Sequence, residues 1–297
     1  MSWWGCIEAG GTKFGVAAGR AEGRIDDRRR IPTGAPDATL AACIDHLRAI
    51  AHRHGPPVAI GIGAFGPLDL EPRSARYGRL LSTPKPGWSG VDLVRPFAEA
   101  FGVPVAIDTD VNAAALGEHR HGAGRGLDAL AYVTVGTGIG GGLVIDGRPL
   151  HGALHPEIGH LRPRRPADDL DFVGVCPFHG DCFEGLASGP AIEARWGASL
   201  DRLPATHRAH ALIADYLGQL CAQLVLAASP RRIILGGGVL GDFRMLPDIA
   251  TSLQRWLGGY PAPIADDSGT PALLVPPALG DAAGLTGALV LARAAAG

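Results

Sequence analysis

Gly136-Thr137-Gly138-Ile139-Gly140-Gly141-Gly142 decides the fold of this chain. The run follows the apolar stretch Leu130 to Val135 and leads into Leu143-Val144-Ile145. Its spacing comes close to G-x-G-x-x-G, but a dinucleotide-binding turn must run from a strand into a helix. Here both flanks read as strands. Two more glycine turns also sit behind apolar, strand-like runs. Residues 3–9 end in Glu8-Ala9-Gly10-Gly11-Thr12-Lys13, and Arg232 to Leu235 runs into Gly236-Gly237-Gly238-Val239. None of the three has the Gly-Lys-Ser/Thr ending of a P-loop. A strand that ends in Gly-Gly-Thr brings backbone N–H groups up to phosphate oxygens. Thr12 adds a hydroxyl, Lys13 a cation, and Glu8 an acid suited to holding Mg²⁺ through water. One such turn is ordinary in a glycine-rich chain, because glycine is the default turn residue. Three of them, each behind a strand, point to a nucleotide.

Working outward, residues 14–19 and 24–32 extend the first strand into a meander. Over 37–54 the residues Leu40, Ala41, Ile44, Leu47, Ile50 and Ala51 keep helical spacing, with Pro36 at the start. Residues 57–63 read as a strand entering Gly63-Ala64-Phe65-Gly66-Pro67, followed by a helix over about 91–101. A strand over 103–107 stops at Asp108-Thr109-Asp110, and a helix follows over 111–120. Further helices are expected at 206–228, 244–257 and 282–295. Strand, glycine turn and helix recur in both halves without a short repeat period. That alternation implies an α/β fold of two related domains. The boundary is expected near 115–125, giving 1–118 and 119–281, with the last helix, about 282–297, packing back on the first domain.

The 297 residues are 46% hydrophobic, which excludes a disordered chain. Net charge is −2, so nothing electrostatic favours nucleic acid or an anionic membrane as a partner. The basic runs Arg28 to Arg30 and Arg162 to Arg165 read as solvated charge. No apolar run is expected to reach the ~18 residues of a membrane span. The start, Met1-Ser2-Trp3-Trp4, lacks the basic region of a signal peptide. The five cysteines are sparse and odd in number, which points to a reducing, cytoplasmic setting.

Two constellations carry chemistry. Asp108-Thr109-Asp110-Val111-Asn112 lies where a strand gives way to a helix. Phosphoryl transfer to an alcohol needs a base beside the attacking hydroxyl, and these carboxylates suit that role. Capping of the helix by Asp108 or Asp110 is the competing reading. The second is Cys176-Pro177-Phe178-His179-Gly180-Asp181-Cys182, inside a stretch over 151–190 that is too long and aperiodic for a plain connection. Its C-x₂-H-x₂-C spacing offers three zinc ligands. Spacing leaves His151, His155 and His160 all eligible as the fourth. Two buried thiols and a surface histidine are the alternative.

The order of these features resembles the actin, hexokinase and heat-shock ATPase superfamily. Within it the chain is similar to the ROK family of sugar kinases, from Glu8 to Gly280-Asp281-Ala282-Ala283-Gly284. The resemblance implies a two-domain actin-like ATPase (ribonuclease H-like) fold with an interdomain active-site cleft. It implies that ATP is bound by Gly10, Gly11, Thr12, Lys13, Thr137, Gly138, Pro190, Gly236, Gly237, Gly238, Val239 and Leu240. Thr12 and Thr137 would meet phosphates, and Gly236 to Leu240 the adenosine. Asp110 matches the family's catalytic base. Thr109 stands where many members have Asn, and Glu8, the possible magnesium residue, where many have Asp. Sugar contacts are implied for Gly66, Thr83, Thr109, Asp110, Glu157, His160 and Glu184. The resemblance selects His160 to join Cys176, His179 and Cys182 around a structural Zn²⁺. His179 replaces a cysteine of the family pattern, which, with Thr109, is similar to the fructokinase branch.

The reaction so implied is D-fructose + ATP → fructose 6-phosphate + ADP with Mg²⁺. Phosphorylation of mannose or glucose is the nearest alternative. A sugar-responsive repressor of the same family would need an N-terminal helix-turn-helix, and the first strand here is expected within about three residues of Met1. The family also suggests a homodimer.

Overall fold

The computed structural model describes residues 2–260 and 272–297. In chain order it runs β1 (Trp4–Ala9), β2 (Lys13–Gly19), β3 (Ile25–Pro32), α1 (Pro36–His54), β4 (Ile60–Ala64), α2 (Arg95–Phe101), β5 (Val105–Thr109) and α3 (Asp110–His121). It continues with β6 (Ala129–Val135), β7 (Ile139–Ile145), β8 (Arg148–Pro149), α4 (Phe183–Ala187), α5 (Gly189–Trp196), α6 (Arg208–Ala228), β9 (Ile233–Gly236), α7 (Leu246–Leu257), β10 (Leu274–Val275) and α8 (Ala283–Ala295). The chain divides into two compact units. The first holds residues 1–126, 142–156 and 278–297; the second holds 127–141 and 157–277. The expected span 119–281 therefore differs from the second unit, and it includes 261–271, which lie outside the described residues.

The first unit is built on the sheet β3-β2-β1-β4-β5. β1 to β3 form an antiparallel meander, while β4 and β5 run parallel to β1. Side chains alternate across β1, as strand geometry requires. Ile7 joins Phe14, Leu47, Ile50 and Trp88 in one core, and Cys6 joins Ala17, Leu285 and Leu289 in another. Trp88 is fully buried and donates from Nε1 to the Gly34 carbonyl at 3.1 Å. Glycine lets α8 approach on the other face. A Cβ on Gly61 of β4 would lie 1.8 Å from the Ala288 carbonyl oxygen, and one on Gly287 would lie 1.6 Å from that of Ala113. Buried Glu118 on α3 accepts backbone N–H groups from Ala123, Ala278 and Leu279 at 2.6, 3.2 and 2.8 Å. It thereby ties together the segments at which the chain leaves and re-enters this unit.

In the second unit β10, β9 and β6 are parallel neighbours, with the start of β7 beside β6. α6 packs against α7, and Asp215 joins them by accepting from Ser252 Oγ and Trp256 Nε1, both at 2.7 Å. On length and mean hydropathy α6 would suffice to cross a membrane, although Asp215, Gln219 and Gln223 interrupt its apolar run; 67% of that window is buried, as in a core helix. The glycine run also differs from its reading as a turn. Only Gly136 to Gly138 turns, closed by Gly136 N–H to the Gly138 carbonyl at 2.8 Å, and β7 begins at Ile139. Gly141 is needed for packing, since a Cβ there would meet Ile158 Cδ1 at 2.0 Å.

Candidate active site

In the first unit, β1, β4 and β5 run parallel and end at Ala9, Ala64 and Thr109. Open parallel sheets bind ligands beyond these carboxyl ends. There the sequence places Gly10 to Lys13, Gly66 and Asp110. The first turn closes through Gly10 N–H to the Lys13 carbonyl at 3.1 Å, and Thr33 Oγ1 donates to the Gly10 carbonyl at 2.8 Å. Gly11, Thr12 and Lys13 are exposed. A Cβ on Gly11 would meet nothing within 4 Å, so this backbone is open to a ligand. Glu8 is half-buried just before it. Burial, then the charge of Asp110, pushes the Glu8 carboxyl above its ordinary range.

The β5–α3 corner is fixed by side chains. Capping, the competing reading for Asp108 or Asp110, falls to Thr109: its Oγ1 accepts the Asn112 N–H at 3.1 Å, and its side chain is buried. Thr109 was expected among the sugar contacts; its Oγ1 accepts the Asn112 N–H, which leaves its O–H able to donate. Asp108 is also buried; it accepts Thr109 N–H and Asn112 Nδ2, each at 2.7 Å. Asp110 is thereby free for chemistry. Its carboxylate accepts the adjacent Val111 N–H at 2.8 Å and its own backbone N–H. Burial pushes its carboxyl up to about 6, against the pull of those N–H groups. A carboxylate so poised accepts a proton from a hydroxyl near neutral pH.

Sequence reasoning weighed His151 and His155 only as metal ligands. In the structure His151 Nε2 meets Asp108 Oδ2 at 3.0 Å, and the bond to that carboxylate holds the imidazole above its ordinary range. His155 is buried, and its Nε2 lies 3.1 Å from Leu68 N. The signal available was H-x₃-H in a segment without periodicity. Thr83 stands on a loop closed by Ser89 Oγ, which accepts the Thr83 N–H at 3.1 Å.

The second unit brings three sequence-distant pieces together. Gly189 N–H donates to the Gly136 carbonyl at 2.8 Å, and Val239 N–H to the Val135 carbonyl at 3.0 Å. Thr137, Gly138, Pro190 and Gly236 to Leu240 thus border one region. Gly237 holds φ +99°, where a Cβ would lie 2.3 Å from the Val135 carbonyl oxygen, so only glycine fits. Glu184 Oε2 accepts the Ile139 N–H at 3.0 Å, which seats this carboxylate under the Thr137–Gly138 turn.

Among the described residues, one group of metal-type ligands converges: His160, Cys176, His179 and Cys182, with ligand atoms all within 4.8 Å of one another. Cys176 Sγ lies 3.7 Å from His160 Nδ1 and 3.6 Å from His179 Nδ1, and Cys182 Sγ lies 3.5 Å from His160 Nδ1. Tetrahedral zinc, at ordinary Zn–S and Zn–N bond lengths, sets a sulfur-to-nitrogen edge of about 3.6 Å. The donor set and its spacing fit that ion. The loop is shaped by paired backbone bonds between Cys176 and Gly180, with Gly180 at φ +66°. Glu157 precedes the short helical turn that ends at His160.

A family model described as the ROK family matches residues 4–295. The fructokinase of Zymomonas mobilis is 44% identical over 98% of this chain and 97% of its own length. A putative fructokinase of Bacillus subtilis is also 44% identical, over 98% of this chain and 95% of its own. The crystal structure of a ROK hexokinase from Thermus thermophilus superposes with a TM-score of 0.79 at 30% identity, covering 98% of each chain. With two such sheets, three glycine turns and this structural likeness, the fold is that of the actin-like ATPases, and the chain belongs to the ROK family.

Proposed function

We propose that this chain is an ATP-dependent fructokinase that transfers the γ-phosphoryl group to D-fructose. The observation that carries the phosphoryl-transfer reading is Asp110, a carboxylate at the end of β5 whose proton affinity burial has raised toward neutrality. Fructose, rather than glucose or mannose, is favoured because the 44% identical, full-length relatives carry the name fructokinase, whereas the hexokinase structure is 30% identical.

As the sugar oxygen attacks the γ-phosphorus, its hydroxyl proton passes to Asp110, and the bond from that phosphorus to the ADP oxygen breaks. Asp108, Asn112 and Thr109 hold the corner so that Asp110 keeps its orientation. Gly10 to Lys13 and the Thr137–Gly138 turn are the phosphate-binding backbones, and Gly236 to Leu240 with Pro190 border the adenosine. Gly66, Thr83, Glu157 and His160 contact the sugar; Glu184 supports the turn above it. Glu8 fits a magnesium ion held through water, since its half-buried carboxylate is disfavoured by burial and by Asp110. That ion supplies charge neutralisation on the transferring phosphates. His160, Cys176, His179 and Cys182 hold zinc. His160 turns Nδ1 toward the sulfurs, which leaves Nε2 to donate to a sugar hydroxyl.

ADP release with a panel of hexoses and ATP tests the reading. Fructose is expected to give the highest kcat/KM. No turnover of any hexose would refute the kinase, and preference for glucose or mannose would refute fructose. Metal analysis of the purified chain should find about one zinc per chain. Cys176→Ser is expected to lose most of it. Retention of stoichiometric zinc in that variant would reject the four-ligand site.

A further inference from the structure

The segment 151–155 is anchored at both ends by histidines. At one end His151 Nε2 meets both oxygens of Asp108, at 3.1 and 3.0 Å. At the other, the buried Leu68 N–H donates to His155 Nε2 at 3.1 Å. These anchors lie at the ends of adjacent parallel strands, Leu68 just past β4 and Asp108 near the end of β5, where Ala64 pairs with Thr109. The segment therefore straps the loop after β4 to the end of β5.

The Leu68 end has consequences further along. The His155 ring lies against Gly66, whose Cβ would meet His155 Cε1 at 3.3 Å. Pro67 accepts the Leu81 N–H at 2.8 Å, Leu68 bridges Leu80, and Asp69 N–H donates to the Arg79 carbonyl at 2.9 Å. The Gly66–Asp69 loop thus carries the 79–83 segment and, with it, Thr83. A shift of Leu68 moves both loops.

We propose that His155 is a positioning residue for sugar binding, acting through Leu68 and only as the neutral tautomer with its proton on Nδ1. The donor at Leu68 is a backbone N–H, so Nε2 must accept. The ring also bonds the Pro156 backbone, which offers only a carbonyl oxygen, so the nitrogen that bonds it, Nδ1, must donate. Burial holds this imidazole below its ordinary range, which keeps it neutral. The proposal rests on the sugar-kinase reading for its consequence but not for its geometry.

The test is His155→Leu beside His155→Gln, assayed on whichever hexose the wild-type enzyme phosphorylates fastest. Leucine leaves the Leu68 N–H buried without an acceptor, whereas the glutamine Oε1 can replace Nε2. His155→Leu is expected to raise KM for the sugar about tenfold or more. KM for ATP should change less than about twofold, and Gln should recover most of the loss. An unchanged sugar KM in His155→Leu, or no recovery by Gln, would overturn the proposal. If fructose is not the preferred hexose, the fructokinase reading fails while the split in KM is still read on the other sugar. Ring-¹⁵N histidine NMR of the wild-type chain reports independently of any substrate and of how the variants fold. It should show His155 protonated at Nδ1 and bare at Nε2; a proton on Nε2 would refute the tautomer and the proposal together.

Discussion

Asp110→Asn is expected to lower kcat by about 10²–10⁴-fold and, at pH 8, to make the folded chain more stable. The first effect follows from losing the proton acceptor while keeping shape; KM for the sugar should stay within a few-fold. The second follows from the raised carboxyl, about 6 in the folded chain against 3.8 for an ordinary Asp. The folded state binds that proton more tightly, so the associated stability is fully present below the unfolded value. It is lost as pH rises through about 6. At pH 8 the ionised Asp110 costs up to roughly 3 kcal/mol. Asparagine removes the charge, and with it part of the pressure on Glu8, which Asp110 also pushes upward. Urea unfolding of both proteins at pH 4 and pH 8 should show the stability gap opening only at the higher pH. The wild-type kcat/KM should fall through an acid limb near pH 6. Near-normal turnover in the variant, or a loss of stability at pH 8, would reject Asp110 as a general base with a raised carboxyl.

Much of this site was legible because it depends on local order. The strand-then-glycine pattern located the three turns, and C-x₂-H-x₂-C located three of the four His and Cys residues that converge. What escaped depends on neighbours far away in sequence. Gly140 to Gly142 read as a turn, yet they lie in β7, because Ile158 and, for Gly142, the Val111 carbonyl press on that strand. The N-cap went to Thr109 because Asp108 is held by Asn112 and His151, and one of those lies more than 40 residues away. The return of residues 142–156 to the first unit gives His151 and His155 their partners. No periodicity marks that segment, since loops that bind side chain to loop backbone need no repeating pattern. The short α4 and α5 were hidden for a similar reason: their starts rest on Cys182 Sγ and Ser188 Oγ caps within the metal loop's frame.

Gly287→Ala should destabilise the chain by about 3 kcal/mol or more, although Gly→Ala inside a helix ordinarily stabilises by about 1 kcal/mol. The sign is reversed by what the new methyl would meet. Its position is 1.6 Å from the Ala113 carbonyl oxygen and 2.2 Å from that carbonyl carbon. Backbone cannot rotate aside as a side chain can, so α3 and α8 must separate. They are locked from other directions too: a Cβ on Gly117 would lie 2.5 Å from the Ala283 carbonyl oxygen, and one on Gly61 would lie 1.8 Å from that of Ala288. Moving α8 therefore disturbs β4 and α3 together, and α3 begins at Asp110. Gly284→Ala provides a graded comparison. The three atoms nearest its methyl all belong to the Glu8 side chain, with Cδ at 2.6 Å, and that side chain can swing away. That variant should lose less stability but should lower turnover by displacing Glu8. Denaturant midpoints of the two variants measure the difference. A neutral or stabilising Gly287→Ala would mean that α8 is not seated backbone-to-backbone on α3, and the close contact that holds the Asp110 helix would have to be abandoned.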